Sequence, residues 1–122
     1  MFIFGGFDVI SVVVPALNEE GYITSCLESL TSQSYDDYEL IVVDGGSSDR
    51  AVELAEKYAD QVIVFRGPVG AARNIGVNRS RGEILAFVDA DTVALKSLRA
   101  RSAQARRGWE EAGEYDLTTF SR

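Results

Sequence analysis

The chain has 122 residues, a length that predicts one domain with a single hydrophobic core. Its 46% hydrophobic and 25% charged residues are typical of a globular protein and argue against a disordered or fibrous one. The net charge of −7 opposes attraction to phosphate backbones, so nucleic acid is not an expected partner.

Cysteine and histidine usage narrows the chemistry further. Cys26 is the sole cysteine, so an internal disulfide is excluded, and its helical spacing with Ile23 and Leu30 predicts a buried thiol. The lack of histidine excludes a zinc site of the usual kind and a histidine-based triad. Residues 1–7 lack the basic region of a signal peptide and are interpreted as an N-terminal extension, with contact to a membrane surface as the alternative.

Apolar runs and turn residues predict alternating strands and helices. The β-branched run from Val9 to Val14, closed by Pro15, is typical of a strand buried on both faces. In chain order, we predict strands at 9–14, 40–43, 61–65 and 84–88, and helices at 23–30, 49–58 and 71–78. This alternation predicts a parallel α/β sheet with right-handed crossovers.

The last part of the chain has a different composition. Apolar residues between Leu95 and Ala112 recur at spacings of three and four, which predicts a C-terminal helix. Packing of this basic segment on the acidic body is the favoured interpretation, and a helix for a partner or a membrane surface is the alternative. We therefore divide the chain into residues 1–94 and a basic helical tail at 95–122, either part of the same domain or a truncated further region.

Carboxylates follow three of the four predicted strands, in the segments "PALNEE", "DGGSSD" and "DAD". Ligands of open α/β sheets bind at this edge, where the loops converge. The segment after the third strand contributes Arg66 and Arg73. Oxygen ligands suit Mg²⁺ or Mn²⁺ better than zinc or copper, and such a cation would bridge Asp89 and Asp91 to a diphosphate.

Four segments together resemble the nucleotide-binding half of family 2 glycosyltransferases: "VVVPALNEE", "IVVDGGSSDR", "GAARNIG" and "ILAFVDADT". The resemblance covers residues 9–92. It implies a Rossmann-like GT-A sheet, mainly parallel, with helices on both faces. It also implies metal-dependent, inverting transfer of a sugar from a nucleotide diphosphate sugar of the UDP or GDP type to a saccharide or lipid acceptor.

The same resemblance implies roles for individual residues. Pro15, Leu17 and Glu19 would line the nucleoside pocket, and Asp44 would hydrogen-bond the base. Gly70 and Arg73 would close the pocket over base or phosphate. The metal and ribose contacts fall on the "DAD" segment, with Asp89 at the ribose or the metal, Ala90 giving clearance and Asp91 coordinating the metal.

Two departures from the family pattern leave alternatives open. Leu17 stands where the family often has an aromatic residue, and the 30 residues after Thr92 do not resemble the acceptor-binding half. The catalytic base is therefore not identified. A catalytically incomplete nucleotide-sugar-binding module is the first alternative. A nucleotidyltransferase is the second, although "PALNEE" lacks the glycine-rich basic loop of that class.

The expected location rests on cysteine usage, since a single cysteine fits a reducing compartment. We expect a cytoplasmic protein, and peripheral contact with a membrane is the open alternative. The oligomeric state, the base, the sugar and the acceptor are not predicted.

Overall fold

The computed structural model describes residues 9–32, 37–91 and 117–121. Its elements are β1 (Ile10–Ala16), α1 (Ile23–Thr31), β2 (Tyr38–Asp44), α2 (Ala51–Ala55), β3 (Gln61–Val64), α3 (Val69–Arg79), β4 (Ile84–Val88) and β5 (Leu117–Ser121). The five strands form one sheet in the order β3-β2-β1-β4-β5. The first four strands pair in parallel and β5 pairs antiparallel to β4, so the predicted, mainly parallel α/β sheet is confirmed.

Helices pack on both faces of this sheet, as predicted. On one face, α1 and α2 cover side chains of β1, β2 and β4, including Val12, Val14 and Leu40. On the other face, Ala72 and Ile75 of α3 pack against Val13 of β1. Because the chain runs from β1 through β2 to β3 and then crosses back to β4, the winding direction reverses between β1 and β4.

Most element boundaries lie within a few residues of the predicted ones. The prediction that Pro15 ends β1 is wrong, since the strand continues to Ala16. β1 pairs with β4 only as far as Val13, so beside Pro15 only β2 continues the ladder, and a missing N–H is tolerated there as on an edge strand. The regular part of α2 ends at Ala55, and a turn replaces the predicted helical residues up to Tyr58.

The predicted tail is only partly described. The helix predicted between Leu95 and Ala112 lies outside the described residues. Leu117–Ser121 is a strand, an element that the prediction of a helical tail at 95–122 did not include. Its "LTTFS" sequence is rich in residues that favour strands, and it pairs with the side of β4 that faces away from β1. Within the described part of the chain, no helix is both long enough and apolar enough to cross a bilayer.

Candidate active site at the carboxyl ends of the strands

A cavity of about 290 Å³ opens at the carboxyl ends of β1, β2 and β4, beside the point where the winding reverses. This is the place where ligands of open α/β sheets bind. Leu17 and Val69 line the cavity and remain more than half exposed, so they give it an apolar rim. The lining residues are Pro15, Ala16, Leu17, Glu19, Val43, Gly45, Gly67, Val69, Ala72, Asp89, Ala90 and Asp91.

The structure brings most of the predicted site residues to this cavity. Six of them line it, namely Pro15, Leu17, Glu19, Asp89, Ala90 and Asp91. Gly70 lies in the first turn of α3, next to the lining residue Val69, and an added Cβ there would meet no atom within 4 Å. Sequence reasoning missed the small or apolar lining residues Val43, Gly45, Gly67 and Ala72, because such residues are equally common in an ordinary core.

Arg73 does not line the cavity itself, but it forms an ion pair with the lining residue Asp89. Its Nη2 lies 3.8 Å from Asp89 Oδ1, and its guanidinium carbon lies 5.8 Å from the centre of the Phe87 ring. Both charged side chains are about half exposed, so this ion pair contributes little to stability and is free to exchange partners. The Cys26 thiol, which belongs to α1, donates a hydrogen bond to the carbonyl oxygen of Asp89, with 3.5 Å between sulfur and oxygen. Cys26 is fully buried, which confirms its predicted structural role.

Carboxylates that follow β1, β2 and β4 repel one another in and beside the cavity. Partial burial raises the pKa of Glu19 above its ordinary value of 4.5, and the negative charges of Asp91, Asp49 and Asp89 raise it further. Such mutual repulsion is relieved when a cation binds. These carboxylates therefore favour a positively charged ligand.

The donor set suits a hard cation that is shared with a ligand. Within residues 9–32, 37–91 and 117–121, no group of three or more acidic or cysteine side chains is placed to hold a metal ion alone. The "DAD" segment offers two carboxylates at the cavity, and the buried thiol of Cys26 already donates to a carbonyl. Mg²⁺ and Mn²⁺ fit such a site, since one or two carboxylates plus phosphate oxygens and water complete their coordination.

Asp44 organises the loop that follows β2. Its buried carboxylate accepts hydrogen bonds from the Gly46 and Ser47 N–H groups at 2.9 and 2.7 Å and from the Ser47 hydroxyl at 2.5 Å. Gly46 adopts a φ of 96°, and Arg66 lies over it so closely that a Cβ there would be 2.8 Å from the Arg66 side chain. The loop conformation therefore requires glycine. The predicted contact of Asp44 with a base stays a prediction.

A second loop is hydrogen-bonded to the first, and sequence reasoning missed this contact. Asn18 N–H donates to Ser47 Oγ at 2.8 Å, and Asn18 Oδ1 accepts from Ser48 N–H at 2.8 Å. The Glu20 N–H donates to Asp49 Oδ2 at 3.0 Å. We call these contacts of Asn18, Glu20, Ser47, Ser48 and Asp49 the loop–loop network. The sequence does show an asparagine, Asn18, shortly after a strand, a residue that often hydrogen-bonds a loop. It does not show the partners, because they lie about thirty residues away in sequence.

Comparison with known proteins decides the family. The family model described as glycosyl transferase family 2 matches residues 11–102, well over half of the chain. The chain belongs to glycosyl transferase family 2. Its sheet is that of the GT-A fold shared by its solved structural neighbours.

Individual glycosyltransferases resemble the chain over two thirds or more of its length. Putative glycosyltransferase EpsH of Bacillus subtilis is 41% identical over 88 residues, which cover 67% of this chain and 26% of that protein. Residues 1–349 of TarS of S. aureus, solved in complex with UDP-GlcNAc, have a TM-score of 0.70 and 35% identity over 79% of this chain and 30% of the solved chain.

A mannosyltransferase from Pyrobaculum calidifontis, solved with GDP-Man and Mn²⁺, has a TM-score of 0.71 and 25% identity over 78% of this chain and 31% of that one. The chain thus spans about a quarter of EpsH and about a third of the solved TarS fragment and of the mannosyltransferase chain.

Proposed function

We propose that the chain binds a nucleotide diphosphate sugar of the UDP or GDP type and forms the nucleotide-binding half of a metal-dependent, inverting glycosyltransferase. The observation that carries this proposal is the cavity at the reversal of winding, with its apolar rim and its acidic "DAD" segment. Family membership supports it, as do neighbours solved with UDP-GlcNAc and with GDP-Man and Mn²⁺.

In the proposed complex the nucleoside enters the apolar part of the cavity. Pro15 and Leu17 contact it on one side, and Glu19 lies at the edge. Asp44 is kept as the contact to the base in this proposal, but it is buried, does not line the cavity and already accepts three hydrogen bonds from its own loop, so the base would have to displace part of that loop. Gly70, which has open space around it, allows close approach of the nucleotide to the first turn of α3.

The diphosphate lies toward the "DAD" segment. Asp91 is exposed and is proposed as a ligand of Mn²⁺ or Mg²⁺, while Asp89 binds the metal or the ribose. When bound, the cation supplies positive charge that stabilises the diphosphate leaving group. Ala90 is buried and small, which leaves clearance between the two aspartates. Arg73 can leave Asp89 for a phosphate, because both groups are half exposed.

Isothermal titration calorimetry tests the proposal directly. Wild-type protein should bind UDP, GDP, UDP-GlcNAc or GDP-Man in the presence of Mn²⁺, and Asp91→Ala should weaken that binding by about a hundredfold, as loss of a charged ligand to the metal implies. Asp37→Ala is the matched control, since Asp37 is exposed near the opposite end of the sheet. Absence of any nucleotide binding by the wild type would refute the proposal. Equal affinity in Asp91→Ala would exclude Asp91 as the ligand.

The first alternative is a nucleotide-sugar-binding module that lacks an acceptor site, and the same cavity would serve it. Transfer needs a positioned acceptor hydroxyl and a base within hydrogen-bond reach. Incubation of radiolabelled nucleotide sugar with saccharide and lipid acceptors distinguishes the two, because the module would bind without transfer. Family membership favours either of these over a nucleotidyltransferase. We retain a cytoplasmic location as part of the proposal, and peripheral membrane contact as its alternative.

A further inference from the structure

Asn18 occupies an unusual position in the wall of the cavity. Its neighbours Leu17 and Glu19 both line the cavity, whereas its own side chain turns away to the loop after β2. Among the described residues it is the one non-glycine residue with positive φ, at 53°. Left-handed backbone costs free energy for most residues and is best tolerated by asparagine, aspartate and glycine. This conformation turns the chain so that the residues on both sides of Asn18 face the cavity.

The side chain and backbone of Asn18 then fix that turn to the second loop. Asn18 Oδ1 accepts from the Ser48 N–H at 2.8 Å and also lies 3.3 Å from the Ser48 hydroxyl. Asn18 N–H donates to Ser47 Oγ at 2.8 Å. The loop between β1 and α1 and the loop between β2 and α2 are therefore held together at two adjacent points.

Ser47 extends this link into the sheet. Its hydroxyl accepts from Asn18 N–H and donates to Asp44 Oδ1 at 2.5 Å. Asp44 is only 1% exposed and ends a central strand, so it cannot move without disturbing the core. A continuous chain of hydrogen bonds thus runs from buried Asp44 through Ser47 to Asn18. Asn18 in turn lies between Leu17 and Glu19, which both line the cavity.

We propose that Asn18 and Ser47 are positioning residues that hold the two loops at the separation needed to bind the nucleotide. The proposal rests on the proposed function, since the ligand it concerns is the nucleotide diphosphate. Neither residue lines the cavity. Asn18 acts through its chain neighbours Leu17 and Glu19, which do line it, and Ser47 links Asn18 to the buried Asp44. Without the loop–loop network, the free protein would sample several loop separations, and binding would have to order the loops first.

Two substitutions test the proposal by calorimetry with UDP and GDP in Mn²⁺. Asn18→Gly tolerates positive φ but removes the contact with Ser48, and we expect affinity to fall about tenfold. Ser47→Ala should reduce affinity by a similar factor, and Ser47→Thr, which keeps a hydroxyl, should restore most of it. Ser32→Ala is the matched control, because Ser32 is exposed at the end of α1 and its hydroxyl donates to the Glu28 carbonyl of the same helix at 2.9 Å. Melting temperatures identify variants that fail to fold.

Hydrogen exchange gives a readout that does not depend on the ligand. The Glu20 N–H donates to Asp49, so Asn18→Gly leaves that bond chemically intact. If the network couples the loops, the Glu20 amide should nevertheless exchange faster in the variant. Unchanged affinity in both Asn18→Gly and Ser47→Ala, or unchanged exchange at Glu20, would overturn this inference and leave the proposed function standing. A wild type that binds no nucleotide diphosphate would overturn the proposed function and this inference with it.

Discussion

At the amino end of the sheet, Glu39 is buried and accepts hydrogen bonds from the Ser11 hydroxyl at 2.5 Å, from the Arg81 N–H and from Arg81 Nε at 3.4 Å. At the carboxyl end, Glu19 lies near three other carboxylates, those of Asp91, Asp49 and Asp89. The first carboxylate is surrounded by donors and the second by like charges. The two ends of one sheet thus provide opposite environments for the same side chain.

The pKa values of the two glutamates respond in opposite directions. Burial alone would raise the pKa of Glu39, but the bonds from Arg81 and Ser11 and the charge of Arg81 lower it below 4.5. Burial and neighbouring aspartates raise the pKa of Glu19. A lowered pKa means that the ionised group stabilises the fold, and a raised one means that ionisation costs stability. The amino end therefore serves stability, while the carboxyl end retains repulsion that a bound cation would relieve.

The largest expected effect concerns glycines at the two ends. An alanine Cβ at Gly82 would lie 2.5 Å from the Val9 carbonyl oxygen and 2.6 Å from Ser11 Oγ. Because Ser11 lies in the central strand β1 and Val9 directly precedes that strand, Gly82→Ala should lower the free energy of unfolding by about 3 kcal/mol. Gly70→Ala at the site end has open space and should be neutral or stabilise α3 by about 0.5 kcal/mol. Urea denaturation measures both, and equal effects would contradict the comparison.

Removal of the Glu39 carboxylate should have the next largest effect. Glu39→Ala leaves the buried Ser11 hydroxyl and the Arg81 N–H without their acceptor, which should cost about 2 kcal/mol of unfolding free energy. Glu39→Gln keeps one acceptor oxygen and should cost about 1 kcal/mol. Nucleotide affinity should be unchanged in both variants. A loss of affinity at unchanged stability would show that the amino end also serves binding.

A smaller effect is expected in the pH dependence of stability. Since the folded-state pKa of Glu39 is lowered, its stabilising contribution is complete above the unfolded value near 4.5 and is lost as pH falls through the folded value. The stability difference between wild type and Glu39→Gln should therefore be constant from about pH 6 to 7 and should shrink below about pH 4. Urea titrations at several pH values measure it. A difference that grows in acid would mean that the sign is wrong.

The sequence predicts one end of the sheet much better than the other. The strands and the acids at their carboxyl ends are local patterns, so β4 with Asp89 and Asp91 is found at its actual place, 84–88. Ser11, Glu39 and Arg81 are separated by 28 and 42 residues and meet only after the strands pair, so no local pattern relates them. Glu39 in particular follows the acidic pair Asp36 and Asp37 in the sequence, and no apolar periodicity marks its position as buried.

The same limit explains what was missed at the site. Asn18 and Ser47 lie in segments that were singled out for their acids, yet their hydrogen bonds join two loops about thirty residues apart. β5 was missed for a related reason, because its strand pairing depends on the free side of β4 and the segment is only five residues long. Periodicity detects elements that bury one face, and it does not detect contacts that arise between elements.

The smallest expected effect is on the fold itself, when the repulsion at the site end is reduced. Asp91→Asn removes the charge that, after burial, contributes most to the raised pKa of Glu19. The pKa of Glu19 should therefore move down toward 4.5 while remaining above it, since burial and the charges of Asp49 and Asp89 persist. The free energy of unfolding at pH 7 should stay the same or rise by up to about 0.5 kcal/mol, because Asp91 is exposed.

NMR titration of the Glu19 carboxyl carbon measures this pKa in the wild type, in Asp91→Asn and in the matched control Asp37→Asn. Only Asp91→Asn should shift it, and the same variant should bind Mn²⁺ and nucleotide more weakly although it is no less stable. Weaker binding without lower stability would show that the Asp91 charge contributes to ligand binding and not to the stability of the fold. If Asp91→Asn instead lowered the free energy of unfolding by as much as Glu39→Gln, the carboxylates at both ends of the sheet would be structural, and the contrast between them would fail.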